Sequence, residues 1–298
     1  MLIDDANLSL VAKGFKTVYN TAFDSTVSHK DTIAMTVSSQ TSEENYGWLG
    51  QFPALREWIG SRHINKLGSH GFAIKNKKFE STVKVQRDDL EDDKYGVYKP
   101  MFSEMGRVAK QHPDTQIFEL LKNGFSTNGY DGQFFFDTDH AIIDPQFTDQ
   151  PGSVSNMQAG SDPAWFLLDL SKAVKPIIWQ ERKDYEFQSV MDPKDISVFM
   201  SDEFVYGIRA RVNAGFGLWQ LAFGSKATLN KENYAAARQA MSKFAGDRGQ
   251  PLGITPTHLV VPTTLEGAAR ELLLSDQIGG SSNIWKGTAE LIVTPWLA

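Results

Sequence analysis

Apolar residues recur at alternating intervals of three and four near the start of the chain, at Leu8, Val11, Phe15, Val18 and Ala22. That spacing predicts an amphipathic helix over residues 6–22. Asp4, Asp5 and Asn7 supply caps and a negative first turn, and Asp24-Ser25 ends it. Residues 25–47 are poor in large apolar groups and rich in Ser and Thr; only the run Thr32 to Val37 predicts a short strand. The pattern then changes. Tyr46, Trp48, Leu49, Phe52, Leu55, Trp58 and Ile59 crowd a stretch broken by Gly47, Gly50, Pro53 and Gly60. Apolar mass on such a loop predicts packing against a partner.

Residues 62–86 read as β structure. Phe72 and Ile74, then Phe79, Ser81, Val83 and Val85, alternate with polar Glu80, Thr82, Lys84 and Gln86. A long helix follows over about 98–124, with Tyr98, Met101, Met105, Val108, Ile117, Phe118, Leu120 and Leu121 on its apolar face. Pro100 suits its first turn, Pro113 predicts a kink or restart, and Gly124 ends it. Residues 125–163 are irregular and rich in Gly, Asp and Pro, the mark of a functional or assembly loop. The remainder alternates. A helix opens at Asp162-Pro163 and runs to Val174, and two strand-like runs flank Lys183-Asp184 within 177–190. Ser201-Asp202 caps a helix carrying Phe204, Val205, Ile208 and Val212, and Leu218 to Phe223 forms a strand. Asn230 caps a helix with Tyr234, Ala237 and Met241; a buried strand at 259–262, a helix through Leu274 and a final strand region at 285–297 complete the chain. The class is α+β, with long extensions preceding a compact body.

Composition narrows the chemistry. The 298 residues suit roughly two domains. There is no cysteine, which excludes disulfides, zinc-thiolate sites, iron–sulfur clusters and thiol nucleophiles. With 30 Lys+Arg against 36 Asp+Glu, the net charge of -6 argues against a dedicated nucleic-acid binder. No apolar run is long enough to span a membrane, and the N-terminus lacks the basic start and apolar core of a signal peptide, so a cytoplasmic site of synthesis is expected. P-loop, dinucleotide-binding and nucleophile-elbow motifs are absent. The cluster Asp137-Thr138-Asp139-His140 has the donors for a divalent ion, but a loop whose aspartates bond their own backbone accounts for it more simply. Lys75, Lys77 and Lys78 form a basic turn, and the acidic cluster Asp88-Asp89-Leu90-Glu91-Asp92-Asp93 is a candidate partner for it across a subunit boundary. This is the profile of a structural subunit rather than an enzyme.

Several ordered segments carry a family resemblance. Arg56-Glu57-Trp58-Ile59-Gly60, the run Gly71 to Glu80, and Arg87 to Asp93 are followed by Phe102-Ser103-Glu104-Met105-Gly106-Arg107. Tyr130-Asp131-Gly132-Gln133, Phe136 to His140, and Gly215-Phe216-Gly217-Leu218-Trp219 come next. In this order and spacing the chain resembles the Mu-like major head subunit (gpT) family over nearly its whole length. The resemblance implies the tailed-phage major capsid fold of the Hong Kong ninety-seven type. Residues 1–45 would form an N-terminal arm and 46–78 an extended E-loop. Residues 79–227 would form a peripheral domain with its spine helix at about 98–124, the placement of 125–175 staying open, and 228–298 an axial domain. It implies a shell of hexamers and pentamers of this chain enclosing double-stranded DNA without sequence specificity. A separate scaffolding protein, a portal and a decoration protein are the implied partners; no membrane, cofactor, metal or catalytic residue is implied. Leu8 and Phe15 on the arm, and Trp48, Phe52 and Trp58 on the E-loop, are the candidate intersubunit contacts. Two rival classes are another virion subunit (decoration or tail) and a cytoplasmic metal-dependent hydrolase built on Asp137, Asp139 and His140.

Overall fold

The computed structural model describes residues 2–49, 71–142, 152–245 and 251–298. Two sheets organise them. The first has four strands in the order Ala34–Ser38, Ile177–Val190, Glu203–Phe216, Lys77–Gln86. Its outermost pair, Ala34–Ser38 with Ile177 to Glu181, is parallel and the others are antiparallel. The second has five strands in the order Glu290–Thr294, His258–Pro262, Trp165–Leu168, Ala222–Ser225, Met157–Gln158. The chain therefore leaves the first sheet after Lys77–Gln86, contributes to the second, returns for the long Ile177–Val190 and Glu203–Phe216 strands, and ends in the second.

Two parallel helices cover one face of the four-stranded sheet. The long helix, Lys99–Lys122, runs through Pro113 without a break, so the expected restart does not occur. The N-terminal helix, Asp5–Ser25, lies beside it. Phe15 stacks on Phe102 with ring centroids 4.2 Å apart, and Lys110 Nζ sits 5.0 Å from the centre of the Phe23 ring. Partners advance together along both helices, which fixes their parallel sense. Beneath them, Val83, Val85, Phe204, Tyr206 and Ile208 from the sheet close a core with Leu8, Phe15, Tyr19 and Met105. A second, larger core lies between the lower half of the long helix and the five-stranded sheet.

Several expected elements take another form. Phe204, Tyr206, Ile208, Ala210 and Val212 alternate with more exposed residues along Glu203–Phe216, which is a strand and not a helix. The spacing of Phe204, Ile208 and Val212 by four fits both periods, and Tyr206 and Ala210 decide for two. The expected helix at 162–174 is instead the strand Trp165–Leu168, four consecutive buried residues in the middle of a sheet covered on both faces. The two runs at 177–190 are one continuous strand. The expected border between residues 227 and 228 falls inside the five-stranded sheet, because strands on both sides of it pair with Trp165–Leu168.

Candidate functional site

The N-terminal helix begins at Asp4, whose carboxylate accepts from the Asn7 amide at 2.8 Å. Its apolar stripe faces this chain's own body. Leu8 and Phe15 are each 2% exposed, and Tyr206 meets the Phe15 ring edge-on at 5.2 Å. Leu8 and Phe15 are expected from sequence to meet a neighbouring subunit; in the structure their cover comes from this chain. The long helix and the sheet supply the surface that covers them, so the stripe is spent inside the body. Gly106 makes the fit, since a Cβ there would overlap the Tyr19 carbonyl oxygen and crowd Ala22. Beyond the helix, buried Asp114 accepts from the Ser28 hydroxyl at 2.7 Å and from the His29 amide at 3.0 Å. That ties the connecting segment to the long helix as well.

The aromatic stretch beginning at Tyr46 divides. Tyr46 and Leu49 are buried in the main core, and Trp48 is half-buried against it with its ring edge-on to Tyr46. Their cover comes from this chain. Phe52 and Trp58 lie outside the described residues. The flanks of the stretch are held by the two-stranded ladder of Glu43–Asn45 with Ala73–Lys75 and by a buried polar network beneath it. Tyr46 donates its hydroxyl to Gln180 Oε1 at 2.8 Å, and Gln180 Nε2 donates to the Ile74 carbonyl and Asn76 Oδ1, both at 2.9 Å. Asn76 Nδ2 donates in turn to Ser39 Oγ at 2.9 Å and to the Thr41 carbonyl at 3.0 Å. Gly215 leaves room for the Ile74 side chain, which would collide with any Cβ at that position. Burial pushes the Tyr46 phenol up to about 12, so it stays a donor throughout the neutral range. A donor and acceptor set satisfied this completely holds residues 39–46 and 74–76 in one geometry against Gln180.

The 137–140 cluster does not converge. His140 is fully buried, stacked on Trp219 at 4.0 Å, with Nδ1 2.7 Å from Asp131 Oδ2 and Nε2 3.2 Å from Asn156 Oδ1. Asp137 accepts from the amides of Phe134 and Thr138, at 3.2 and 2.7 Å. Asn156 donates to the Phe135 carbonyl at 2.8 Å and accepts from the Asp137 amide at 2.9 Å. These contacts knot the loop to the five-stranded sheet. Among the described residues no group of three or more His, Asp or Glu side chains is placed to hold a metal ion.

The charged clusters separate. Lys75 ends the Ala73–Lys75 strand, Lys77 and Lys78 open Lys77–Gln86, and the acidic run begins just past the far end of the latter. There Tyr98 donates to Asp89 at 2.6 Å, Lys94 pairs with Asp92 at 2.8 Å and Arg87 with Glu91 at 3.0 Å. One surface was missed from sequence. The short helix Ile196–Ser201 turns the chain between its two longest strands and leaves Ile196, Phe199 and Met200 exposed. The signal for it was the pair Phe199-Met200 beside Pro193 and Asp195, too short a segment to show a period.

A family model described as Mu-like prophage major head subunit gpT matches residues 8–297. The major capsid protein of Escherichia phage Mu is 41% identical over 307 residues, covering 100% of both chains. The Mu-like prophage FluMu major head subunit of Haemophilus influenzae is 44% identical over 276 residues, 89% of each. Among solved structures, a chain from the procapsid of bacteriophage JBD30 matches with a TM-score of 0.88 at 43% identity, over 99% of this chain and 100% of that one. A chain from the JBD30 capsid matches at 0.77 and 36% identity, over 91% of each. These superpositions give the protein the tailed-phage major capsid fold. With the family model spanning residues 8–297 and relatives 41% and 44% identical over nearly the whole chain, the protein belongs to the Mu-like prophage major head subunit family, gpT.

Proposed function

We infer that this chain, a major capsid protein, self-assembles into the closed icosahedral shell of a phage head and that the shell encloses double-stranded DNA. The observation that carries this is the full-length match to a procapsid chain, end to end in both proteins. The function is assembly, with many weak contacts made at once by closed symmetry, and it calls for no turnover. A separate scaffolding protein, a portal and DNA held without sequence specificity complete the reading. A further JBD30 capsid structure, decorated with minor capsid protein trimers, supports a decoration partner. Assembly in the host cytoplasm is part of the same reading; no described helix is long and apolar enough to cross a membrane.

The sheet order supports a division of labour different from a linear one. The peripheral domain comprises the two parallel helices and the four-stranded sheet, including Ile177–Val190 and Glu203–Phe216. The axial domain comprises the five-stranded sheet, built from residues on both sides of that insertion. Residues 46–78 are assigned to the E-loop, and Phe52 and Trp58 within that range remain candidate contacts to a neighbour. Negative-stain microscopy of the purified chain, concentrated without partners, tests the reading. Closed shells are expected, and only small discrete oligomers under all conditions count against it.

A further inference from the structure

The described surface carries one large apolar knob with an obvious electrostatic complement elsewhere on the same chain. In the helix Ile196–Ser201, Val198 is anchored in the core, whereas Ile196, Phe199 and Met200 are 78%, 78% and 77% exposed. Three neighbouring apolar side chains this exposed mark a surface awaiting cover. Carboxylates ring the knob. Asp192, Asp195, Asp202 and Glu203 flank it in sequence, and the segment bearing Asp88, Asp89, Glu91, Asp92 and Asp93 is joined to it by the Arg87 amide donating to the Asp202 carbonyl at 3.1 Å. Most nearby cations are already paired: Arg87 with Glu91, Lys94 with Asp92, and Lys84 with Glu203 at 2.6 Å. Lys194 is the remaining cation of the turn. The tip is apolar at its centre and acidic around it.

The complement lies at the other end of the same sheet. Lys75, Lys77 and Lys78 are exposed and make no ion pair among the described residues. Arg211 stands across from Lys78 and Arg209 across from Glu80 in the strand register. The nearby carboxylates are Glu43 opposite Lys75, Glu80 and Glu186 on either side of Arg209, and Glu181 opposite Val212. Glu186 pairs with Lys183 at 3.7 Å and Glu44 accepts from Ser39 and Gln40, so the three lysines of the turn itself are the positive feature of this end. Half-buried Phe72 and Phe79 give this end an apolar component as well. The ten-residue strand Lys77–Gln86 holds the two ends about 30 Å apart, at roughly 3.3 Å per residue. No single chain can bring them together, but a second copy can. We propose that the Ile196/Phe199/Met200 tip of one subunit docks on the Lys75–Lys78 turn of the next, head to tail. Such a contact uses two different patches, so it repeats from copy to copy, and within a closed shell that repetition takes the form of rings. It rests on the shell reading above and adds to it which surfaces meet.

Shells assembled from an equal mixture of ordinary and 15N-labelled chain, treated with a carbodiimide, provide the test. That reagent joins a lysine amine to a carboxylate only where the two already touch. Expected are mixed-isotope cross-linked peptides between Lys75, Lys77 or Lys78 and the carboxylates of 88–93 or 192–203, absent from dissociated subunits. Intact shells that yield other intersubunit cross-links and none of these overturn the proposal. As a second arm, Phe199→Ser with Met200→Ser should leave subunit melting within about 2 °C of the parent and cut shell yield at least about tenfold. Parental yield from that variant also overturns it. Because the chain has no cysteine, Met200→Cys alone reports on tip-to-tip packing, and covalent dimers on oxidation of its shells would exclude the head-to-tail partner. Failure of the parent chain to form any shell rejects the shell reading, and this contact with it.

Discussion

Gly106 and Asp114 are single residues on which the docking of the N-terminal segment depends. Gly106 sits inside a helix, where alanine ordinarily gains up to about 1 kcal/mol over glycine. Here the added methyl would meet the Tyr19 carbonyl and the Ala22 side chain, and overpacking of that kind costs about 1–3 kcal/mol. Gly106→Ala is therefore expected to lower the melting temperature of the unassembled subunit, and a rise would show that the helices are free to separate. Asp114→Ala strands the Ser28 hydroxyl and His29 amide. A loss of about 2–3 kcal/mol is expected in denaturant unfolding. Neither role was legible in the sequence. A glycine inside a helical pattern hints at a close approach without naming the partner, and a lone aspartate in a helix reads as solvated surface.

Two partly buried histidines, His112 on the long helix and His258 in the five-stranded sheet, set the response to acid. Burial holds the His112 imidazole below its usual 6.5, its Nδ1 lying 2.5 Å from the Tyr185 hydroxyl among Phe79 and Trp179. Burial lowers His258 too, outweighing the pull of Glu290. Neutral in the fold, both take up a proton more readily in the unfolded chain once the pH drops below 6.5, so stability falls there and is recovered above it. Glu181, raised by burial and by Asp184, gains stability on acidification and works against this at the low end of the range. Melting temperature should be level above about pH 7 and decline from about 6.5 downward, less steeply in His112→Gln. A level profile from pH 7 to 5.5 would contradict the assignment. The N-terminal helix itself was legible from its three-and-four spacing and from Asp4. Which surface buried it was not, because periodicity gives the apolar face and never its cover. Phe15→Ala should now cost the isolated subunit about 3–5 kcal/mol, the loss expected of a core ring. A stable, unchanged monomer would restore the intersubunit reading of that residue.

At the scale of the whole molecule, deletion of residues 1–22 should expose Phe102, Met105 and Tyr206 and visibly destabilise the body, rather than release an independent arm. The contrast is Trp58→Ala. If the E-loop lies on a neighbour, this change leaves subunit melting untouched and weakens assembly, an interface aromatic being worth about 2 kcal/mol or more; a lowered subunit melting temperature would place that ring in its own chain's core. The overall class, the long helix and the family were readable from motifs in order. The partition into sheets was not. Long-range pairing leaves no local trace, so the strand at 165–168 reads as a helix, and nothing in the local pattern shows that strands on both sides of residue 227 pair with it.

That same sheet order governs how the chain is made. Trp165–Leu168 lies between Ala222–Ser225 and His258–Pro262, and the edge beyond is supplied only by Glu290–Thr294. On a ribosome delivering about 5–20 residues per second, the centre of the sheet waits unpaired for seconds until its distant neighbours emerge, and such non-local closure is intrinsically slow. Nascent chains arrested before residue 258 should show fast amide exchange at 165–168, and release of the full chain should bring protection. The inner sheet is thus completed only by the last strands to leave the ribosome, so a subunit's finished surface arrives late in its synthesis.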